Sequence, residues 1–499
     1  MNPSLLIPFH IDEVIAGDHH EHYVTTFARM MTPIVAFMEN LYATVHFWYA
    51  PKRILWSHYV NMMGEQVDPN DSINFTMPQL GPIIGGFPEQ SIFDCMGLPT
   101  NADMSDVTAL TSLPLRMYNK LWNDEYRDEN LQDSIPIMSS EDGPDSPGLY
   151  TLQRRGKRKF DPFTSALPWP QKFSAPQIPI QGSGVVEQLP ATIPLGIQRK
   201  SDGTVAATGN LAFNGFNTTD SGGNGVSYDP NGSLVTDPTG MYTLVNDIRQ
   251  AFQIQKLLER DARGGTRYVE LIPAHFGVVV PDYRLQRCEY LGGGETRINV
   301  NPVPQTSGSP ATPDVVVDTP QGNLAAFATF SHKGIGYSKS FVEPGYILGL
   351  ISIRADITYQ NALEKFWKTK TRYDEFWPEF MQFPEQPITC GEVNWTGVPA
   401  DDEDTFGYQE YGYQWRYKAS RIGGIFKSTA VGSLDYWHAA QDFGTSKIEL
   451  NENFVIDDAP IGRMITTPGE PYFQLDVWNR LHSTRSMTTQ SIPGYVDHY

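Results

Sequence analysis

Five cations fall within six residues at Arg154, Arg155, Lys157, Arg158 and Lys159. The chain around them has a formal net charge of −20, so the run stands out against its background. Guanidinium and ammonium groups at this density neutralise phosphates and release counterions. Phe160, Phe163 and Trp169 follow closely, and ring faces beside such a cluster offer stacking surfaces for unpaired bases. The first reading is therefore a local nucleic-acid-binding patch. The second has the same cations pairing with acidic loops of a neighbouring subunit, with the aromatics packed in a core or an interface.

Asp401, Asp402, Glu403 and Asp404 form an oxygen-rich stretch of the kind that suits a hard cation such as calcium. Asp401, Asp402 and Asp404 are the metal candidates, although the alternate spacing and the glycine of an EF-hand loop are missing and a solvated acidic loop is the plainer reading. His19, His20 and His22 with Glu21 invite a metal, but adjacent side chains point apart and no further ligand set accompanies them. Gly292, Gly293 and Gly294 would let backbone approach a phosphate; a tight turn accounts for them more simply. No resident cofactor is expected, calcium being the one cation considered. The motifs HExxH, GxSxG, the P-loop and a strand-to-helix GxGxxG are all missing. Carboxylate pairs alone place nothing across a substrate, so no catalytic residue is assigned. Cys95, Cys288 and Cys390 lie far apart without a CxxC pair, which is neither a disulfide framework nor a zinc site. They read as small buried hydrophobes in a reducing cytoplasm.

The 499 residues are 12% aromatic and 19% charged, with 43 Gly and 38 Pro. The charged share is low against an average of roughly 25%. Many aromatics, many turn formers and few charges suit a β-rich chain with long loops and a surface pressed against copies of itself. A chain this acidic repels nucleic acid on average, so contact with it needs a local basic patch or a basic partner. The opening MNPSLLIPFHIDEV lacks the basic region of a signal peptide, and no run approaches the ~18 apolar residues of a membrane span. A soluble protein is expected.

The elements that must position these groups are mainly strands. ENLYATVHFWYA (39–50) places Leu41, Ala43, Val45, Phe47 and Tyr49 on one parity, which predicts a strand. GYILGLISIRADITYQ (345–360) does the same with Ile347, Gly349, Ile351, Ile353, Ala355 and Ile357. YGYQWRYK (411–418) alternates aromatics with polar residues and predicts another strand. Helices are predicted over KRILWSHYVNMMG, from Pro114 to about Arg127, from about Thr243 to Arg263 with Leu244, Ile248, Ala251, Phe252 and Leu258 as its buried stripe, and over 433–443. Strands separated by such long excursions predict a jelly-roll barrel assembled from distant parts of the chain. Residues 181–240 differ in kind, holding 11 glycines and 7 charged residues. Their composition predicts a surface excursion within one domain spanning 1–499.

Several long segments resemble the signature stretches of the major capsid proteins of microviruses, above all the gokushovirus-like branch. They are HIDEVIAGD, RMMTPIVAFMENL, FWYAPKRILWSHYVNMMGE, RRGKRKFDPFTSALPWPQK (154–172), NDIRQAFQIQKLLERDARGGTRYVELIPAHFGV (246–278), PDYRLQRCEYLGGG (281–294), GLISIRADITYQ (349–360), TRYDEFWPEF (371–380), FGYQEY, STAVGSLDYWHAAQDF (428–443) and IPGYVDHY (492–499). The resemblance spans nearly the whole chain; 181–240 is the exception, and in that family the corresponding region is a variable loop, often a protrusion near the threefold axes. The resemblance implies a mainly β chain folded as a single eight-stranded antiparallel jelly roll with long loop and helix insertions. It implies a T=1 icosahedral capsid around a circular single-stranded DNA genome. It further implies a virion assembled in the host bacterial cytoplasm, a scaffolding protein, a small basic DNA-binding protein, a DNA pilot protein and a host surface receptor.

If sixty copies assemble, their formal charge totals roughly −1200 and like charges are held side by side. Assembly is then expected to depend on ionic strength. A carbohydrate-binding or carbohydrate-active β-sandwich is the rival, resting on the aromatic stretch 411–418 and the abundant acids.

Overall fold

The computed structural model describes residues 1–105, 110–156, 161–182, 241–265, 268–278, 286–304, 306, 322, 324–467 and 469–485, together with short strands at 185–188, 197–199, 212–214, 217–219, 226–228 and 234–237. The chain divides into one unit of residues 1–170 and 265–499 and a second of residues 171–264.

Eight of the described strands form the two large sheets of the first unit: β1 (Ile7–Val14), β2 (His19–Met30), β3 (Leu41–Pro51), β4 (Glu289–Arg297), β5 (Asn299–Pro304), β6 (Leu324–Ser340), β7 (Gly345–Ala355) and β8 (Phe473–Thr484). They form two four-stranded sheets in the orders β1-β7-β3-β4 and β5-β6-β2-β8, and every pairing is antiparallel. Ile298, 2% exposed, carries the chain from one sheet to the other between β4 and β5. The fold is therefore mainly β, with the sheet partners drawn from opposite ends of the sequence.

The two inner faces share one core. Leu41, Ala43, Val45, Phe47 and Tyr49 of β3 meet Ile347, Ile351 and Ile353 of β7, and from the second sheet Val24, Ala28, Phe330, Ile335 and Tyr337. The parity predicted for β3 is the observed inner face. β7 differs from a half-wet strand: Tyr346, Leu348 and Leu350 are buried as well, in a second core on the opposite face. That core is closed by residues between β3 and β4, chiefly helix α1 (Leu113–Leu121), with Leu113, Leu115, Met117, Tyr118 and Leu121 buried. Pro114 in the first turn of α1 supplies a preset φ and lacks only an N–H that has no intrahelical partner there. The Tyr118 hydroxyl donates to the Leu6 carbonyl at 2.9 Å, and the buried Arg116 holds Asp145 through Nε and Nη2, each at 2.7 Å. A third core, with Phe163, Tyr359, Ile388, Val393, Phe406 and Phe454, lies among residues that join β7 to β8 and the 161–166 turn.

Helices depart from the expected bounds. KRILWSHYVNMMG forms two single turns, Lys52–Leu55 and Tyr59–Met62, because Trp56 takes an extended backbone. The stretch 411–418 is not a strand: Gly412 adopts φ +88 and Tyr413–Arg416 forms one helical turn. Its alternation of aromatics reflects loop packing. In 433–443 only Asp435–Trp437 is helical, as a 3-10 turn.

In the second unit, helix α2 (Val245–Gly264) matches its predicted span. Of its expected buried stripe only Ala251 is buried, Ile248 and Leu258 are partly so, and Leu244 and Phe252 are exposed. Short two-stranded ribbons pair 185–188 with 234–237, 197–199 with 226–228 and 212–214 with 217–219.

Candidate functional site

The basic run begins on a fixed backbone. Arg154 bridges to Leu5, and Arg155 N–H donates to the Ser4 carbonyl at 2.9 Å. The Arg154 carbonyl accepts from Trp122 Nε1 at 3.0 Å. Arg154 reaches out to pair with Asp458 at 2.7 Å. Arg155 turns inward, its guanidinium 5.9 Å from the Tyr126 ring centroid, and burial lowers its pKa. That ring is itself pinned: the Tyr126 oxygen lies 2.8 Å from His46 Nδ1 and accepts from Trp48 Nε1 at 3.1 Å. So the two arginines anchor the start of the run to sheet β1-β7-β3-β4. Lys157, Arg158 and Lys159, with Phe160, lie outside the described residues. Of the neighbouring aromatics, Phe163 is buried in the third core, edge-on to Tyr359 at 5.1 Å.

The acidic candidates do not converge. Asp402 is wholly buried, and its carboxylate accepts from Thr396 N at 2.8 Å, Thr396 Oγ1 at 2.9 Å and Gly397 N at 2.9 Å. Those bonds close the Pro399–Asp402 turn and occupy the oxygens a cation would need. Asp404 pairs with Lys447 at 2.6 Å. Among the described residues no group of three His, Cys, Asp or Glu is placed to hold a metal. All three cysteines are free thiols.

The histidines divide by parity along β2. His19 and Glu21 face outward, while His20 and His22 are wholly buried. His20 sits between Asp12 at 3.9 Å and Asp18 at 3.5 Å. His22 lies 4.4 Å from His10 of β1, ring to ring, and bonds Asn479 of β8 at 3.1 Å. Burial pushes both His10 and His22 down to about 4, so they are neutral imidazoles between the sheets at neutral pH. Gly292–Gly294 are strand residues of β4 and not a turn. A Cβ at Gly292 would stand 2.5 Å from the Gly336 carbonyl, and one at Gly293 2.3 Å from that of Val45. Their small size lets strands approach closely.

Two exposed aromatic surfaces escaped the sequence reading. The outer face of sheet β5-β6-β2-β8 shows Tyr23, Phe27 and Trp478 among Arg29, Lys333 and Arg480. The other is the segment 366–415, short turns around the antiparallel pair Gln386–Thr389 and Thr405–Gln409, where Phe366, Trp367, Tyr373, Phe376, Trp377, Met381, Phe383, Trp395 and Trp415 are all exposed. The signal was in the letters TRYDEFWPEF, whose aromatics Tyr373, Phe376, Trp377 and Phe380 stand at the helical spacing i, i+3, i+4, i+7. Pro378 breaks that period, and only the 3-10 turn Pro378–Gln382 forms, so the rings gain no common helical face to bury.

Stable cores, a fixed basic turn and broad exposed aromatics describe a structural part more than a reaction centre, and the relatives agree. The family model described as capsid protein (F protein) matches residues 2–495. The chain is 40% identical to capsid protein VP1 of Bdellovibrio phage phiMH2K, over 98% of this chain and 92% of that protein. It is 33% identical to capsid protein VP1 of Chlamydia phage 1, with 98% and 92% covered. It is 31% identical to that of Spiroplasma virus 4, with 99% and 92% covered. These matches favour the capsid reading over the carbohydrate one, whose aromatic strand is a helical turn. The chain belongs to the phage capsid protein (F protein) family of the microviruses, gokushoviruses among them, and is a structural major capsid protein and not an enzyme.

Proposed function

We propose that sixty copies of this chain close into a T=1 icosahedral shell around a circular single-stranded DNA genome. The observation that carries the proposal is the family match from residue 2 to residue 495. The two sheets of four antiparallel strands with one shared core support the finer reading of a single eight-stranded jelly roll. The excursions after β3 and β7 are then the insertions that shape the contacts between copies. Heterologous contacts whose rotation closes yield a finite particle, and repetition makes the closed shell persistent even where each contact is weak.

The partners follow from the same reading: a scaffolding protein, a small basic DNA-binding protein, a DNA pilot protein and a host surface receptor, with assembly in the host bacterial cytoplasm. Residues 181–240, rich in glycine, are the surface excursion and the candidate for attachment. Arg154, Arg155, Lys157, Arg158 and Lys159 are the DNA-facing patch. In this division Arg154 and Arg155 anchor the backbone, and Lys157, Arg158 and Lys159 meet phosphate.

Electron microscopy of the chain, expressed alone and with its assembly proteins, tests the shell: closed spheres are expected, and a chain that stays dispersed in every condition overturns it. Replacing Lys157, Arg158 and Lys159 together by alanine should leave particle yield intact and lower the DNA retained. Unchanged DNA content removes the patch from the proposal. A titration of assembly against salt, with and without chelator, tests the charge argument and the calcium expectation. Equal yields throughout count against both.

A further inference from the structure

The segment 366–415 sends Phe406 and Tyr413 into the third core but leaves most of its other aromatics exposed, held in a fixed arrangement. Phe380 stacks on Phe383 with centroids 4.7 Å apart, Phe383 meets Tyr411 edge-on at 5.5 Å, and Trp415 meets Phe376 at 5.2 Å. The Arg372 guanidinium lies 5.6 Å from the Tyr373 centroid and 5.4 Å from that of Trp377, whose Nε1 donates to the Arg372 carbonyl at 2.7 Å. Asp374 ties the turn by accepting from Lys370 N at 3.0 Å and Thr371 N at 2.8 Å. Each of these bonds spends polar groups on holding the rings in place and none draws the rings inward. Trp367 and Tyr373 remain 68% and 67% exposed.

We infer that this segment is a contact surface whose occupant is a second copy of the same chain. The inference rests on the shell reading above and names where one of its contacts lies. Area is the first argument. Aromatic side chains carry roughly 150–250 Å² each, so the exposed rings together leave on the order of 1,000 Å² of largely apolar surface along the segment. One partner in a standard stable interface contributes about 800 Å². Composition is the second: Trp, Tyr, Phe, Met and an aromatic-stacked Arg are the residues that dominate binding energy at protein interfaces. Charge is the third. Between 366 and 415 the sequence holds ten acids and three bases, a net of 3 − 10 = −7. That balance repels both the phosphates of packaged DNA and an anionic membrane surface; a second copy, acidic overall, meets it through its local bases, of which each chain carries 37. The chain belongs to a family whose subunits must cover one another, so the partner present in greatest number is the chain itself. Because the rings are already fixed, little side-chain ordering is lost on contact.

The test pairs two measurements on the full chain. Trp367→Asp with Tyr373→Asp should leave the unassembled subunit folded, with an unchanged urea midpoint, and lower the yield of closed particles about tenfold or more. Val431→Asp, at a fully exposed position outside the segment, should leave yield unaltered. Should the double variant lose its midpoint, oxidative footprinting of the unaltered chain decides: Trp367, Trp377 and Trp415 should be protected in closed particles and reactive in dispersed subunits. Normal particle yield from a folded double variant overturns the inference, as does equal tryptophan reactivity in both states. Loss of assembly with the tryptophans still reactive in the finished particle overturns it too, and assigns the segment to a transient assembly protein. If the unaltered chain yields no particles at all, it is the shell reading that fails.

Discussion

The central strands β3 and β7 of the sheet β1-β7-β3-β4 are dry on both faces, while the sheet β5-β6-β2-β8 is dry on one. Both sheets are four-stranded, antiparallel and joined by the same central core. The difference lies in what the chain does between strands. The long passage from β3 to β4 lays α1 and its neighbours over Trp48, Ala50, Leu348 and Leu350. No described residue does the same for Tyr23, Phe27 and Trp478 on the other sheet. An antiparallel sheet tolerates one wet face and a doubly buried one must be apolar throughout. One sheet is thus finished within the subunit, and the other keeps a surface of aromatics and cations available to whatever the assembled state brings.

That contrast can be broken at several points. The largest effect belongs to Arg116. Removing it as Arg116→Ala leaves Asp145 buried without its cation and should cost about 3–5 kcal/mol, read as a lower urea midpoint of dispersed subunits. Leu348→Ala, on the covered face, should cost about 2–5 kcal/mol. Losses below about 1 kcal/mol at both positions would mean that the covering passage is a loose attachment.

The histidines between the sheets come next. His10 and His22 titrate near 4 in the folded chain and near 6.5 when unfolded. Between those values the unfolded state binds more protons, so stability falls as pH drops from about 6.5 to about 4 and is fully present above that window. For His10 the shift corresponds to about 3 kcal/mol. The titratable and charged groups around the pair are Asp12 of β1, Asp18 in the β1–β2 turn with its partner Arg485, and His20 of β2. Urea midpoints at pH 7 and pH 4.5 should differ strongly in the unaltered chain and less in His10→Gln with His22→Gln, where His46, also pushed down to about 4 by burial, keeps its share; an identical pH slope in both would contradict the assignment.

On the open face the effects shrink. Trp478→Ala or Phe27→Ala should shift the subunit by no more than about 1 kcal/mol, far less than Leu348→Ala, and a loss comparable to Leu348 would show that this face is covered after all. Smallest of all is Arg154→Ala, which breaks an exposed pair with Asp458 and should cost about 0–1 kcal/mol by the same denaturation measurement.

The pattern of legibility has a physical cause. β3 and β7 were readable because their inner parity is filled with branched and aromatic residues. β2 was not, because its buried parity is His20, His22, Val24, Thr26, Ala28 and Met30 while Tyr23 and Phe27 point to solvent, so its hydrophobic signal runs nearly backwards. β8 alternates too, but its outward Trp478 opposite Thr25 blurs the period. In 411–418 a correct period described a wrong element, since Gly412 at φ +88 turns the chain where a strand would continue. At the basic run, composition located the charges, but nothing in their order said that Arg155 folds back on Tyr126 while Arg154 reaches Asp458.

The residues alone determined lineage, the strongly periodic strands and helices, and the lack of enzyme motifs, because each is written in contiguous letters whose neighbours along the chain carry the signal. Only the tertiary structure decided which faces are dry, which histidines are buried and where the aromatics stay open. Those properties depend on what arrives from hundreds of residues away, and a side chain's own identity does not say whether anything will come to cover it.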